Sequence, residues 1–382
     1  MRISETHALT TVLPSVSWIP LARAHAERAD EMTAGHRARK AAGEKHAIED
    51  FLYDYYGTRP AQLRRWHPGV GTGLAAAPTG VAEHASWKWY KAHPDGVVTL
   101  DIEAYMHARG ESVRYIHGLL TATASRPAFS GCFGLHEWAM VYRQPEHRHS
   151  LPLRLGQAET DKVVEEHPIR CTHFDAFRFF TPEAVGLNRL QPTRATQVDL
   201  DQPGCLHAAM DCHKWASKLG PAVPGALALD CFALAGDIRL LDMQASPYDL
   251  TSYGQEPVKI ETPEGKAEYV ARQREFARRA SALRARLIRV CDELLGPALA
   301  AENREGRGPA QQLSRSVRVG AAVALDLRAT LLGTDAALDR SAGRLGRAAL
   351  ARRRRDGRPD QCGQPGRRPP RGCAAGSGAP RR

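Results

Sequence analysis

A mainly α-helical domain with long connecting loops and few or no strands, followed by a low-complexity basic tail, is the fold class this sequence predicts. Three observations carry it. Long stretches keep a helical apolar period between capping and breaking residues. The connections between them are polar and marked by Pro and Gly. From about residue 301 the composition shifts, and the last 32 residues are dominated by Arg, Gly, Pro and Ala. The expected organisation is a flexible leader over 1–17, a mostly helical catalytic-type domain over 18–300, a linker with short helices over 301–350, and a disordered tail over 351–382.

Charge separates the body from the tail. Residues 351–382 hold 10 Arg and 2 Asp, a surplus of +8, whereas residues 1–350 hold 43 basic and 40 acidic side chains. Net charge therefore gives no argument for a polyanion partner of the body. The eight cysteines are scattered and form no CxxC pair, a usage that fits a reducing cytoplasm. The N-terminal stretch lacks the apolar core of a signal peptide, and no apolar run is long enough to cross a bilayer. The expectation is a cytoplasmic protein without a membrane partner.

Each element has its own warrant. Trp18 to Ala42 is rich in Ala, Arg, Glu and Met and stops at Gly43, which predicts a basic amphipathic helix. In the next segment, read as a helix to Tyr56, His46 and Asp50 share a face with Glu49 beside them. Pro60 opens a short helix that ends in the cluster Arg64, Arg65, Trp66 and His67. Trp87 and Trp89 fit a short strand or a helix. Asp101 is placed to cap a long helix running to about Ala122. Gly131 and Gly134 mark a turn or a close backbone approach before His136, Glu137 and Trp138. The zinc-protease spacing is absent there, because position 140 is Met. A long loop with a helix over 158–166 follows. Alternation from Ile169 through His173 suggests an extended piece in which His173 and Asp175 point the same way. Pro182 opens a further short element. Glu264 to Leu295 is a long charged helix whose buried stripe is Tyr269, Phe276, Leu283, Leu287 and Val290.

Between these lies the most informative stretch, Gly204 to Asp249. Two apolar helical runs separated by a Pro-marked break both carry ionisable groups: His207, Asp211 and His213 in the first, Asp230, Asp237 and Asp242 in the second. A lone buried charge is expensive, so such groups belong either to a site or to a tightly paired network that fixes how the helices pack. His207 and Asp211 share one face, and Asp230 and Asp237 share another. His213 lies off the His207 face, and Asp242 is less well aligned with Asp237.

The segments GEKHAIEDFLYDYY, QLRRWHPG, GCFGLHEWAMVY, CLHAAMD and DCFALAGDIRLLDMQASPYDL together resemble an actinobacterial protein group commonly labelled 3-methyladenine DNA glycosylase. The resemblance covers about residues 18–295 and implies release of alkylated purines from DNA by hydrolysis of the N-glycosidic bond, with DNA as partner and no cofactor. Such an enzyme must extrude the base and hold it on aromatic walls. Asp211, Asp237 and Glu137, with His136 and His207, are then the catalytic candidates. Trp66, Trp87, Trp89 and Trp138 are candidates for stacking, and Arg64 and Arg65 for phosphate.

A second reading follows from residue types alone. Facing helices bearing His and carboxylates suit a helical enzyme using iron or another divalent metal on a small molecule. Its ligand candidates are His207, Asp211, Asp237, His46, Glu49 and His136. A non-enzymatic helical interaction protein is the third reading.

Overall fold

The computed structural model describes residues 11–147 and 149–304, with side chains described to residue 296. The expected tail over 351–382, and the linker beyond residue 304, lie outside the described residues. Where described, the chain is mainly helical with one small mixed sheet.

Helix Ser15–Ala42 stops where the sequence places its breaker, at Gly43 in the left-handed region (φ +72), whose N–H closes on Arg39 O and Lys40 O. Its buried residues, Trp18, His25, Ala29 and Thr33, recur at helical spacing. The start differs from expectation. Residues 11–13, grouped by sequence with a flexible leader, form strand β1 (Thr11–Leu13). Strand β1 runs parallel to β2 (Thr72–Leu74), and the sheet continues in the order β1-β2-β4-β3 through β3 (Tyr90–Ala92) and β4 (Val98–Leu100) with antiparallel pairing. Every strand has three residues, too short for alternation to register in sequence.

The core is built from four long helices. Helix Ile102–Ser125 begins at Asp101, whose carboxylate accepts from Ala104 N at 3.2 Å. It packs against Pro263–Arg304, which breaks at Gly296 (φ 76, ψ 164). All five residues of the stripe expected on that last helix are buried. Leu206–Leu219 and Gly225–Gln244 pack side by side against it, joined by the turn Gly220–Ala222. Gly225, at the start of Gly225–Gln244, lets that helix approach helix Ser15–Ala42 and Trp66, since a Cβ there would sit 2.9 Å from His25 and from Trp66.

Two local expectations are corrected. The segment after Gly43 is a turn followed by the single helical turn Phe51–Asp54. The piece from Ile169 is not a strand: Ile169 makes an isolated bridge with Asn188, and Phe174–Phe177 is helical. His173 takes the N-cap position of that turn.

Candidate metal centre

The short helix Leu135–Ala139 carries His136 and Glu137. It starts at Gly134 (φ +71), where a Cβ would press on Ala245 and Tyr269 at 3.4 Å. Its far side is fastened by Trp138, whose Nε1 donates to Ala245 O at 2.8 Å. Ala245 directly follows helix Gly225–Gln244, so this bond brings His136 to the last turn of that helix, where Asp242 lies. His207 enters from the first turn of Leu206–Leu219.

These three side chains converge. One ligand atom from each of His136, His207 and Asp242 lies within 4.8 Å of the others. His136 Nε2 stands 3.0 Å from Asp242 Oδ1, yet neither atom has an aligned hydrogen bond. The His136 and His207 rings meet edge to face at 4.4 Å. The second oxygen of Asp242 is committed: Arg239 Nη1 donates to Oδ2 at 3.2 Å and to Glu137 Oε1 at 2.9 Å. The carboxylate is thereby held with Oδ1 toward the imidazoles.

Electrostatics sharpen the picture. Burial, followed by the charge of His136, pushes the His207 ring down to about 3, leaving a neutral imidazole at pH 7. Burial opposes protonation of His136, but the Asp242 carboxylate outweighs it and raises that ring above its ordinary value. Burial alone would raise Asp242. His136, then His207 and Arg239, hold it well below the usual carboxylate range instead. Two imidazoles and one carboxylate are a donor set that zinc, iron and related divalent ions accept. The buried, unaligned Nε2 and Oδ1 are the atoms such an ion would satisfy. A cavity of about 10 Å³, room for about one water-sized ligand, adjoins the imidazoles and is lined by His136, His207, Cys132, Cys171, Cys205 and Tyr269 among others.

A second polar cluster abuts the first through His173, whose ring stacks on His207 at 5.5 Å. Asp211 accepts from Tyr56 Oη at 3.1 Å and from Lys214 Nζ at 3.2 Å, and pairs with His173 Nε2 at 3.3 Å. Lys214 also donates to Asp175 at 2.7 Å, and Arg194 closes on Asp175 at 2.8 Å. Burial would raise Asp211, but Lys214 and then His173 hold it down at about 2.

The sequence candidates thus separate. His136 and His207 meet in the centre, and Glu137 stands beside it, 3.9 Å from His136 Nε2 and bonded to Arg239. Asp211, proposed from its face shared with His207, belongs to the neighbouring cluster. Asp237 is half exposed and paired with Arg279 at 2.7 Å. Its facial partner Asp230 pairs with Arg28 and Arg286. His46 accepts from the backbone of Ile48 and Glu49, and Glu49 pairs with Arg39 at 2.6 Å. Neither His46 nor Glu49 joins the triad. His213 is off the triad, bonded to Thr58 Oγ1 at 2.8 Å.

Among the proposed stacking residues, Trp138 is fully buried, and Trp66 is buried with its ring edge-on to His84. Trp87 and Trp89 are half-buried and carry Arg65 and Lys88 over their faces at 5.5 and 4.4 Å. Arg64 pairs with Asp30 at 2.9 Å.

Asp242 was not among the ligands expected from sequence. Its signal was present but weak: an acid between Leu241 and Met243, three residues after Arg239, in an otherwise apolar run. Lys214, Arg239 and the three cavity thiols carried no spacing signal.

No helix among the described residues is long and apolar enough to cross a membrane. No protein-family model, no curated protein and no solved structure matches the chain.

Proposed function

We propose that this protein is a metal-dependent helical enzyme acting on a small molecule, with His136, His207 and Asp242 as the ligands of one divalent ion. The convergence of three ligand atoms from three separate elements, two of them buried without an aligned hydrogen bond, is the observation that carries the reading. When bound, the ion would act as a Lewis acid toward a ligand approaching from the cavity.

The chain's own residues prepare that approach. Arg239 donates to Asp242 Oδ2 and to Glu137 Oε1 and so orients both carboxylates. Trp138 locks the His136 helix in place, and burial keeps the His207 lone pair available. The cavity's small volume favours a small ligand. Base release from alkylated DNA is the competing reading. The positions of Trp66 and Trp138 add nothing to it, since both rings are committed to the core.

The test is a titration of purified full-length chain with Zn²⁺ and Co²⁺, followed by the cobalt ligand-field spectrum. Tight binding with a low-coordinate spectrum is expected, lost in His136→Ala and Asp242→Ala and retained in Asp237→Ala. Binding indifferent to those substitutions would overturn the assignment. So would release of alkylated purine from treated DNA by metal-free protein.

A further inference from the structure

The cavity beside the imidazoles is walled by a cation and by hydrogen-bond donors. Arg170, Thr172, His136, His207 and Tyr269 line it, and among the described residues no carboxylate does. Such a lining suits an anion.

Arg170 is held at this wall from both ends. Its backbone is pinned by the buried Asn188, which accepts from Cys171 N at 2.7 Å and donates to Cys171 O at 3.0 Å. Its guanidinium lies over the Phe129 ring, 4.5 Å from the centroid. Phe129 is in turn a built platform. Gln202 Oε1 accepts from Phe129 N at 2.8 Å, and Gln202 Nε2 donates to Phe129 O at 3.2 Å. A Cβ on Gly131 would lie 2.7 Å from the Phe129 ring, and one on Gly204 would lie 2.5 Å from Phe129 O. Glycine at both positions lets the ring fold back and the two loops close. Yet among the described residues no carboxylate pairs with Arg170. Arg64, Arg154, Arg194 and Arg239 each have one.

Tyr269 supplies an independent observation. It is fully buried on helix Pro263–Arg304 and lines the cavity, and its hydroxyl has no aligned hydrogen bond. The Cys132 thiol that faces it is a weak acceptor. A buried hydroxyl in that state is costly until a ligand oxygen accepts from it. The charge of the centre points the same way. Asp242 and Glu137 set against Arg239 leave a single negative charge. A divalent ion held there by neutral imidazoles would keep one positive charge, buried and uncompensated.

We propose that the cavity receives an oxyanion, the carboxylate or phosphate group of a small molecule, with the Arg170 guanidinium as its counter-charge and the Tyr269 hydroxyl as its inner hydrogen-bond donor. The proposal rests on the metal reading and adds to it the substrate class and two binding residues. Room for about one water-sized group admits one oxygen of the anion. The rest of the molecule stays at the rim, where Arg170 is exposed.

The probes are acetate, inorganic phosphate and the uncharged acetamide, added to the full-length chain loaded with Co²⁺. Perturbation of the cobalt spectrum reports anions at the centre, so phosphate held by the Arg-rich tail is silent. Acetate or phosphate should perturb the spectrum saturably, and acetamide should not. The tighter of the two anions tells carboxylate from phosphate. Arg170→Gln should weaken anion binding about tenfold or more and Tyr269→Phe about fivefold, with cobalt affinity unchanged in both. Arg64→Gln should leave every value unchanged. No response to either anion, acetamide matching acetate, or anion binding indifferent to Arg170→Gln would overturn the oxyanion subsite and leave the metal centre standing. A Tyr269→Phe variant indistinguishable from the parent would remove Tyr269 from the subsite. Because Arg170 is exposed, its variant keeps the test open if Tyr269→Phe fails to fold. If the chain binds no cobalt, the metal reading falls and acetate binding is read by calorimetry. Heat lost in Arg170→Gln then sustains the subsite, and heat absent or indifferent to that substitution removes both.

Discussion

Two buried clusters lie back to back in this molecule, made of the same residue types and finished differently. Around Asp211, both carboxylate oxygens are taken, by Tyr56 on one side and by Lys214 and His173 on the other. Asp175 is likewise held by Lys214 and Arg194. Around Asp242, one oxygen is taken by Arg239, and the other stands in an ion pair 3.0 Å from His136 Nε2 without an aligned hydrogen bond. Carboxylates bonded at both oxygens to cations and hydroxyls fix geometry. A buried carboxylate left incompletely bonded is where a ligand belongs. His207 lies between the two, 4.4 Å from the His136 ring and 5.5 Å from that of His173.

The contrast can be broken in order of effect. Lys214→Met removes the cation shared by Asp211 and Asp175, and stability should fall by about 3–5 kcal/mol in urea unfolding. Metal affinity should stay within about twofold of the parent, because the ligands are untouched. A large loss of affinity would show that the clusters are one unit. His207→Ala should do the converse. Divalent-ion affinity, read by competition with a chromophoric chelator, should drop more than about 100-fold, beyond the range typical of outer partners.

Acid should attack the saturated cluster. Asp211 is held at about 2 in the folded chain and returns to about 3.9 on unfolding. The unfolded state therefore binds the extra proton. The resulting stability, about 2 kcal/mol, is complete above pH 4 and is lost as pH falls through about 2. The acid-unfolding midpoint should move upward in Lys214→Met, and an unmoved midpoint would contradict the pairing. The smallest effect is expected for Tyr56→Phe, which deletes one of the bonds to Asp211 and should cost about 1 kcal/mol without altering metal affinity.

Much of the helical scaffold was legible because its signals are local. Gly43, Asp101 and Pro182 end or begin elements where their backbone chemistry dictates. The apolar stripe from Tyr269 to Val290 follows from a period of 3.6. The sheet was not legible, since three-residue strands are held by partners distant in sequence. In the site, face-sharing along one helix linked His207 with Asp211, whereas the structure places the two side chains in adjoining clusters. Residues four apart do share a face, but each helical face here meets two different neighbours. His207, nearer the helix start, meets the His136 helix, and Asp211 meets Tyr56 and His173.

By itself the sequence determined that the chain folds mainly as helices, that the paired runs over 204–249 hold costly buried ions, and that His136 and His207 are worth attention. Tertiary structure alone decided which carboxylate completes the set. Asp237 faces outward to Arg279, and Asp242, five residues on, faces inward. The rotation of helix Gly225–Gln244 about its axis chooses between them. That rotation is fixed by long-range contacts, including the Trp138–Ala245 hydrogen bond and the Arg239 bridge to Glu137, which no local pattern encodes.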